Sequence, residues 1–260
     1  MCNPDPLYDE DELESTLYDE YVRIEDTHWW FRGRREIVRA LIRPHLQAPA
    51  EIIDVGSGGG AVAEALMEFG QVTACDVDVR CAASVERRPG MKFAYGTAEA
   101  VPFPDGSFDL VTAFDVLEHL DDDVRALKEM GRLAKPGGLV AVTVPAYKWL
   151  WGRQDEVSHH QRRYSRRSLA SAFEGAGLRV IRLTAFNTFL FPGIAAVRLA
   201  RRLTSRGRRP DPSTLKSDFS MTKPGPFNDL LGIVFMSEAR LLGKVNLPVG
   251  VSLFALARRD

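Results

Sequence analysis

Apolar and polar positions fall into two rhythms along this chain, and the switches between them mark out its elements. Over residues 7–22 and 30–46 apolar side chains recur every third or fourth position, the spacing of one helix face. The second of these helices is expected to end near Pro44 and before Pro49. Short apolar runs at 51–55, 71–75, 91–95, 109–114 and 139–144 read as strands, with helical spacing between them at 61–69, 78–87 and 121–134. Lys135-Pro136-Gly137-Gly138 is the expected stop of the last of these helices. Alternating strands and helices predict an α/β fold, a doubly wound and mostly parallel sheet covered on both faces. Ligands of such sheets sit beyond the carboxyl ends of the strands, where the strand order reverses.

The pattern changes toward the end of the chain. Residues 168–176 read as a helix closed by Gly177, 178–184 as a sixth strand and 249–258 as a seventh. Helical runs near 194–203 and 227–242 lie between those two strands, joined by a Pro/Gly/Ser-rich link at 205–226 that is expected to be mobile. Four parts follow from this reading: an N-terminal helical cap (1–48), an α/β core (49–184), a helical insertion or lid (185–248) and a last core strand (249–260).

Composition narrows the setting. A hydrophobic content of 45% with 27% charged residues is ordinary for a soluble domain, and a net charge of -1 gives no reason to expect nucleic acid as a partner. Charge is unevenly placed, with acids from Asp5 to Glu14 and six arginines between Arg198 and Arg209. Cys2, Cys75 and Cys81 are odd in number and lack metal-ligand spacing, which predicts reduced thiols in a cytoplasmic protein. The acidic start has no apolar core of a signal peptide, and the longest apolar run, 189–197, is too short to span a bilayer.

The segment Glu51-Ile-Ile-Asp-Val-Gly-Ser-Gly-Gly-Gly60 carries the most chemistry. It predicts a buried strand running into a glycine-rich turn, where the backbone approaches a ligand closely. Gly56, Gly58 and Ala61 satisfy the relaxed dinucleotide pattern, while Gly56, Gly58 and Gly60 suit S-adenosylmethionine. Asp54 favours the second, because a carboxylate sits badly beside a pyrophosphate and well near an ammonium and a sulfonium. Asp76 ends the second strand, placed to take ribose hydroxyls, and Asp78 is expected to cap the next helix.

Further motifs follow in order: Gly96-Thr-Ala-Glu99, Val101-Pro-Phe103 ahead of Phe108-Asp109, Val116-Leu-Glu-His119, and Leu133 with Lys135-Pro-Gly-Gly138. With Asp54-x-Gly56-x-Gly58-x-Gly60 and Asp76 before them, the chain resembles the class I S-adenosylmethionine-dependent methyltransferases. The likeness is to their small-molecule branch, which includes the ubiquinone and menaquinone methyltransferases. It covers roughly residues 52–145 and the closing strand, and implies a Rossmann-like seven-stranded fold with S-adenosyl-L-methionine as cofactor. It also implies that the turn of Gly56, Ser57 and Gly58 holds the methionine end and Asp76, with Val77 beside it, the ribose. Ala98 and Glu99 then lie against the adenine, and Phe114 with Val116 lines the sulfonium side. Thr97 stands where the family often has an acid, and its neutral hydroxyl is a weaker acceptor for the adenine amino group.

Two segments outside this core are expected to decide the methyl acceptor. His28-Trp-Trp-Phe-Arg-Gly-Arg-Arg35 opens the second helix; two adjacent tryptophans face different ways, so one packs while the other covers a pocket, unless both anchor the helix. Pro145-Ala-Tyr-Lys-Trp-Leu-Trp151, running on to Asp155 and His159-His-Gln-Arg-Arg-Tyr164, follows the fifth strand and hangs over the same edge. Trp30, Arg35, Tyr147, Trp151 and Tyr164 are the expected acceptor contacts. The loops are similar to those of bacterial methyltransferases encoded among cell-envelope glycan enzymes, which implies a sugar, a lipid-linked or a secondary-metabolite acceptor. A hydroxyl acceptor needs a base, for which Glu118, His119, Asp155 and His160 are the candidates. His159-His160 alone lacks the further ligands of a zinc site, so no metal is expected. The insertion, apolar and then arginine-rich, is expected to act as a lid or to make weak contact with a membrane surface. An NAD-dependent oxidoreductase and a non-catalytic S-adenosylmethionine-binding protein remain the alternatives.

Overall fold

The computed structural model of the protein describes residues 21–204, 218–219 and 222–260. Cys2, the acidic run from Asp5 to Glu14, most of the helix expected over 7–22, and most of the 205–226 link, with Arg206, Arg208 and Arg209, lie outside the described residues.

The chain runs α1 (Trp29–Ile42), β1 (Ala50–Val55), α2 (Ala61–Leu66), β2 (Gly70–Asp76), α3 (Arg80–Glu86), β3 (Lys92–Tyr95), β4 (Phe108–Phe114) and α4 (Asp123–Leu133). It continues with β5 (Ala134–Pro145), α5 (Arg153–Val157), α6 (Arg166–Gly175), β6 (Arg179–Phe186), α7 (Phe191–Thr204), α8 (Pro226–Leu242) and β7 (Ser252–Arg258). The seven strands form one sheet in the order β3-β2-β1-β4-β5-β7-β6, parallel except where β7 runs against both its neighbours. Side chains alternate across it. Ile53 and Val111 face one core with Leu127 and Phe173, while Ile52 and Leu110 face another with Ile37, Leu66 and Phe235. Burial on both faces is why the strands read as nearly continuous apolar runs.

The helix stops where Lys135-Pro136-Gly137-Gly138 places its end, for α4 closes at Leu133, but no loop follows, because β5 begins at Ala134 and runs through the segment. Pro136 disfavours helix for the residue before it, and Gly137, at φ +77°, bends the strand while its amide still donates to Arg259 O at 2.8 Å. The loop after β5 also contains a short helix, α5, which the periodicity did not reveal because five residues span barely a turn.

Both tryptophans anchor α1. Trp29 and Trp30 lie 5.6 and 5.4 Å from the Phe235 ring of α8, the second stacked on it and on Phe186. Gly33, one turn on, is where that ring presses into α1: a Cβ there meets Phe235 directly.

The carboxyl edge of the sheet is where the backbone is under tension. Asp115, Tyr147 and Asn187 directly follow or lie just beyond β4, β5 and β6, and all three have positive φ, as has His159 in the loop above. Such backbone costs about 1–3 kcal/mol per residue outside glycine and persists only where its surroundings enforce it.

Candidate active site

The turn after β1 is folded onto the end of β2. The Gly56 and Ser57 amides both donate to Cys75 O, at 2.8 and 3.1 Å, and the Gly58 amide donates to a carboxylate oxygen of Asp76 at 2.8 Å. The other Asp76 oxygen accepts from the Asp78 amide at 3.0 Å, and Asp78 in turn accepts from the Arg80 amide at 2.9 Å, at the start of α3. Asp76 therefore binds two loops together at the mouth of the sheet.

The glycines of this turn differ in what they face. A Cβ on Gly56 would strike Val116, one on Gly59 the Glu25 carboxylate, and one on Gly60 the side chains of Val85 and Arg88. Only Gly58, at φ +54°, faces open space within 4 Å. Room beside the turn is accordingly at Gly58, and Gly56 is a glycine because the loop after β4 packs on it. Ser57 Oγ is buried without a partner beside that opening.

Residues 21–28 close over the turn. Glu25 pairs with Arg88 at 2.7 Å, accepts from the Ala61 amide at the start of α2, and has its pKa raised, by burial first, against the opposing pull of Arg88. Arg88 also donates to Gly59 O at 3.0 Å. Arg35 is spent here: it donates to Glu25 O at 2.6 Å and pairs with Asp26, so it does not reach an acceptor.

Asp54 does not line the opening. It is buried between β1 and β4, accepts from Thr112 Oγ1 at 2.6 Å, and is pushed up to about 7 by burial, with Thr112 and Arg34 opposing and Asp76 adding to the rise. Arg34, which nothing in the sequence set apart from Arg32 and Arg35, is the arginine that enters the site and pairs with Asp115. Asp115 also accepts from Thr143 Oγ1 at 3.1 Å. Phe114 is buried at the end of β4 and Val116 half-buried on the turn, while Val77, just past Asp76, is 52% exposed. Thr97 is exposed; Ala98 and Glu99 are half-buried, with Glu99 3.6 Å from Arg125.

Beyond β4 and β5 lies a second group. Glu118 is fully buried and neither carboxylate oxygen has a hydrogen-bond partner; burial raises its pKa well above the ordinary range. His119 and His160 meet edge to face, 4.7 Å between centroids. His119 is open to solvent, yet the protein packed around it, and His160 next, lower its pKa. His160 Nδ1 lies 2.9 Å from Asp155 Oδ1. Asp155 is no base: burial would raise its pKa, but His160, Arg163 at 2.6 Å and the Gly152 amide at 2.7 Å together hold it well below the carboxylate range. It orients groups that can exchange protons.

Tyr164 is likewise a brace. It is buried, donates to Asp123 at 2.7 Å and reaches Leu117 O at 3.2 Å, which fastens the loop after β4 to α4. Tyr147 and Trp149 stack 6.2 Å apart and meet Phe191 of α7, with Trp149 47% exposed; Trp151 is half-buried at the head of α5. Trp30 is held within the aromatic cluster of Phe186, Phe219 and Phe235. His28, at the head of the same segment, caps α1: its Nδ1 accepts from the Trp30 amide at 3.2 Å, and burial lowers its pKa to about 4.

Comparison with known proteins agrees with this geometry. Residues 53–142 match the family described as methyltransferase domain. A Mycolicibacterium smegmatis protein named as a probable S-adenosylmethionine-dependent methyltransferase is 30% identical over 159 residues, 60% of this chain and 61% of that one. The ubiquinone biosynthesis O-methyltransferase of Xanthomonas campestris pv. campestris is 30% identical over 151 residues, 52% of this chain and 63% of the relative. The alignments thus span about three fifths of these relatives' length. Among solved structures, the methyltransferase in the complex with the Haloferax volcanii Trm112 methyltransferase activator aligns over 96% of both chains with TM-score 0.63 and 18% identity, which shows a shared fold. Residues 53–142 thus match a methyltransferase domain, and the relatives that share the region include a protein named as a probable S-adenosylmethionine-dependent methyltransferase.

Proposed function

We propose that this chain transfers a methyl group from S-adenosyl-L-methionine to a small-molecule acceptor bound between the loops after β4 and β5 and the N-terminal segment. The observation that carries the reading is the state of the glycine turn. A pyrophosphate needs free amides at a helix start. Here the amides of Gly56, Ser57, Gly58, Gly60 and Ala61 already have partners within the protein, and two of those partners are the carboxylates of Asp76 and Glu25. That arrangement repels a dinucleotide and suits a cationic ligand, which counts against the oxidoreductase alternative.

The residues fit the cofactor: Gly58 opens onto space, Ser57 offers an unpartnered hydroxyl there, and Asp76 brings acceptor oxygens to the same mouth. Bound S-adenosylmethionine supplies an electrophilic methyl on a sulfonium. The chain's own part is alignment, which accounts for most of the rate in reactions of this type. We assign Val77, Ala98 and Glu99 to the adenosine side, and Val116 and Phe114 to the floor after β4.

We assign 49–184 with 249–260 as the catalytic core, 1–48 as a cap and 185–248 as a lid. Support for the lid comes from contacts that join it to the loop after β5. Arg198 donates to Leu150 O, and the Asp218 amide donates to Gln154 at 2.9 Å. Exposed Val197, Leu199 and Leu203 on α7, with Phe227, Leu230 and Ile233 on α8, support weak membrane-surface contact, although no described helix is long and apolar enough to cross a membrane. Buried Cys75 and Cys81 are in keeping with a cytoplasmic setting.

Calorimetry with S-adenosylhomocysteine and with NAD, followed by a turnover screen over sugar, lipid-linked and quinone acceptors, tests the proposal. Binding of NAD in place of S-adenosylhomocysteine would overturn it. Cofactor binding without turnover on any acceptor would favour a non-catalytic role.

A further inference from the structure

One helical turn of the N-terminal cap, beginning at Tyr21, touches both the glycine turn and the loop after β5. The Glu25 amide donates to Tyr21 O at 2.8 Å, so the two side chains lie one turn, about 6 Å, apart along the segment. At one end the Glu25 carboxylate faces Gly59, takes the Ala61 amide and pairs with Arg88 at 2.7 Å, while Arg88 donates to Gly59 O. At the other end the Tyr21 hydroxyl accepts from Gln154 Nε2 at 2.7 Å, which leaves its own proton for Ser158 Oγ at 3.0 Å. Gln154 Nε2 donates to Ser158 Oγ as well, at 2.7 Å. Gln154 belongs to α5 and Ser158 closes it, and between them stands Asp155, which holds His160 and Arg163. Among residues 21–28 only Glu25 and His28 are buried. A segment held by polar contacts, with little buried apolar surface, is the kind that opens locally.

We propose that residues 21–28 couple the two sides of the site: cofactor at the glycine turn tightens α5 through Glu25 and Tyr21, so the acceptor side is ordered once the donor is in place. Tyr21 is then a positioning residue that acts through Gln154 and Ser158. The inference rests on the methyltransferase reading and adds regulation to it. Sheet order makes a separate connector necessary, because β1 and β2 lie on one side of β4 and β5 on the other. Seating Glu25 sets the backbone just after Gly58, where the turn opens, and α1 steadies the middle of the segment through the bond from Arg35 to Glu25 O. A ligand that binds the seated state better shifts the population toward it, and the seated segment brings the Tyr21 hydroxyl to α5. The coupling runs both ways, since a ligand that orders α5 must favour cofactor binding by the same factor.

Amide hydrogen exchange on the full chain, with S-adenosylhomocysteine as the probe, tests the coupling. The amides of Ser158, His159 and His160 donate to Gln154 O, Glu156 O and Asp155 O, so their exchange reports the opening of α5. Bound probe is expected to slow that exchange about 5-fold or more, the lower end of coupling between sites. Tyr21→Phe keeps the ring beside Phe31 and Phe219 and removes only the hydroxyl. It is expected to bind the probe near wild-type affinity and to show no slowing. Glu25→Gln, which weakens the other end, is expected to lose the slowing and to bind the probe less tightly. Thermal melting of each sample shows that the variant is folded, and Ser158→Ala, which cuts the same link from α5, stands in for Tyr21→Phe if that variant is not. Unchanged exchange at 158–160 in the probe-bound wild type, or equal slowing in Tyr21→Phe, overturns the coupling and leaves the methyltransferase reading in place. A wild type that does not bind S-adenosylhomocysteine strikes at that reading instead, and the coupling falls with it.

Discussion

The amide of Gly58 donates to the Asp76 carboxylate across 2.8 Å, so the turn after β1 and the end of β2 act as one unit. Asp76→Ala removes two charge-assisted bonds, to Gly58 and Asp78, along with the proposed ribose acceptor. Hydrogen bonds to charged groups contribute about 1.5–3 kcal/mol each. S-adenosylhomocysteine affinity is expected to fall by at least ~10-fold, with a modest drop in melting temperature. Wild-type affinity in a folded variant, by calorimetry, would show that the ribose is held elsewhere.

Gly58→Val separates steric from conformational effects. The site is open, so no packing is lost, but φ +54° is strained for a β-branched residue by about 1–3 kcal/mol. The variant is expected to fold and to lose cofactor binding. Gly58→Asn, which tolerates that backbone, is expected to recover stability without recovering binding. Differential scanning calorimetry paired with ligand titration distinguishes the two contributions.

Asp54 predicts a pH dependence. Its folded pKa of about 7 lies above the ordinary value of 3.8, chiefly through burial, so the folded state holds this proton more tightly than the unfolded chain does. The favourable contribution is complete below pH ~4 and disappears as pH rises through about 7, up to ~4 kcal/mol in all. Asp54→Asn keeps an acceptor for Thr112 and cannot ionise. Its stability relative to wild type, by urea unfolding, is expected to grow between pH ~4 and ~7 and to level off above that; a constant difference would show that Asp54 is not perturbed.

Gly33→Ala sets two effects against each other. Alanine favours a helix interior by about 0.8–1 kcal/mol, while overpacking costs about 1–3 kcal/mol. The added Cβ meets the ring of Phe235, which is fully buried and has no room to retreat. Overpacking is expected to prevail, lowering the melting temperature. Adding Phe235→Leu to the same chain is expected to restore part of the loss.

The strands were legible in the chain because burial on both faces makes each a compact apolar run, and their alternation with helices left few topologies. Gly58 and Asp76 were legible for a similar reason: they belong to a local motif whose spacing is short. What hid was contact between distant segments. Glu118 and His160 lie 42 positions apart and meet only because the loop after β5 folds back. Arg34 and Arg35 are neighbours of one type, and only the direction of α1 sends one to Asp115 and the other to Glu25. Asp155 and Tyr164 carry the side chains of catalysts, yet their burial and partners make them supports.

The strand order has a consequence for how such a protein diversifies. The strands that frame the glycine turn, β1 and β2, lie on one flank of β4, while the loops after β5 and β6 stand on the other, joined through antiparallel β7. Segment 187–249 is tied back to α1 through Phe235, so variation that spares the first flank has its freest ground in loop 146–164, and exchanging that loop between relatives is the practical route to new acceptors.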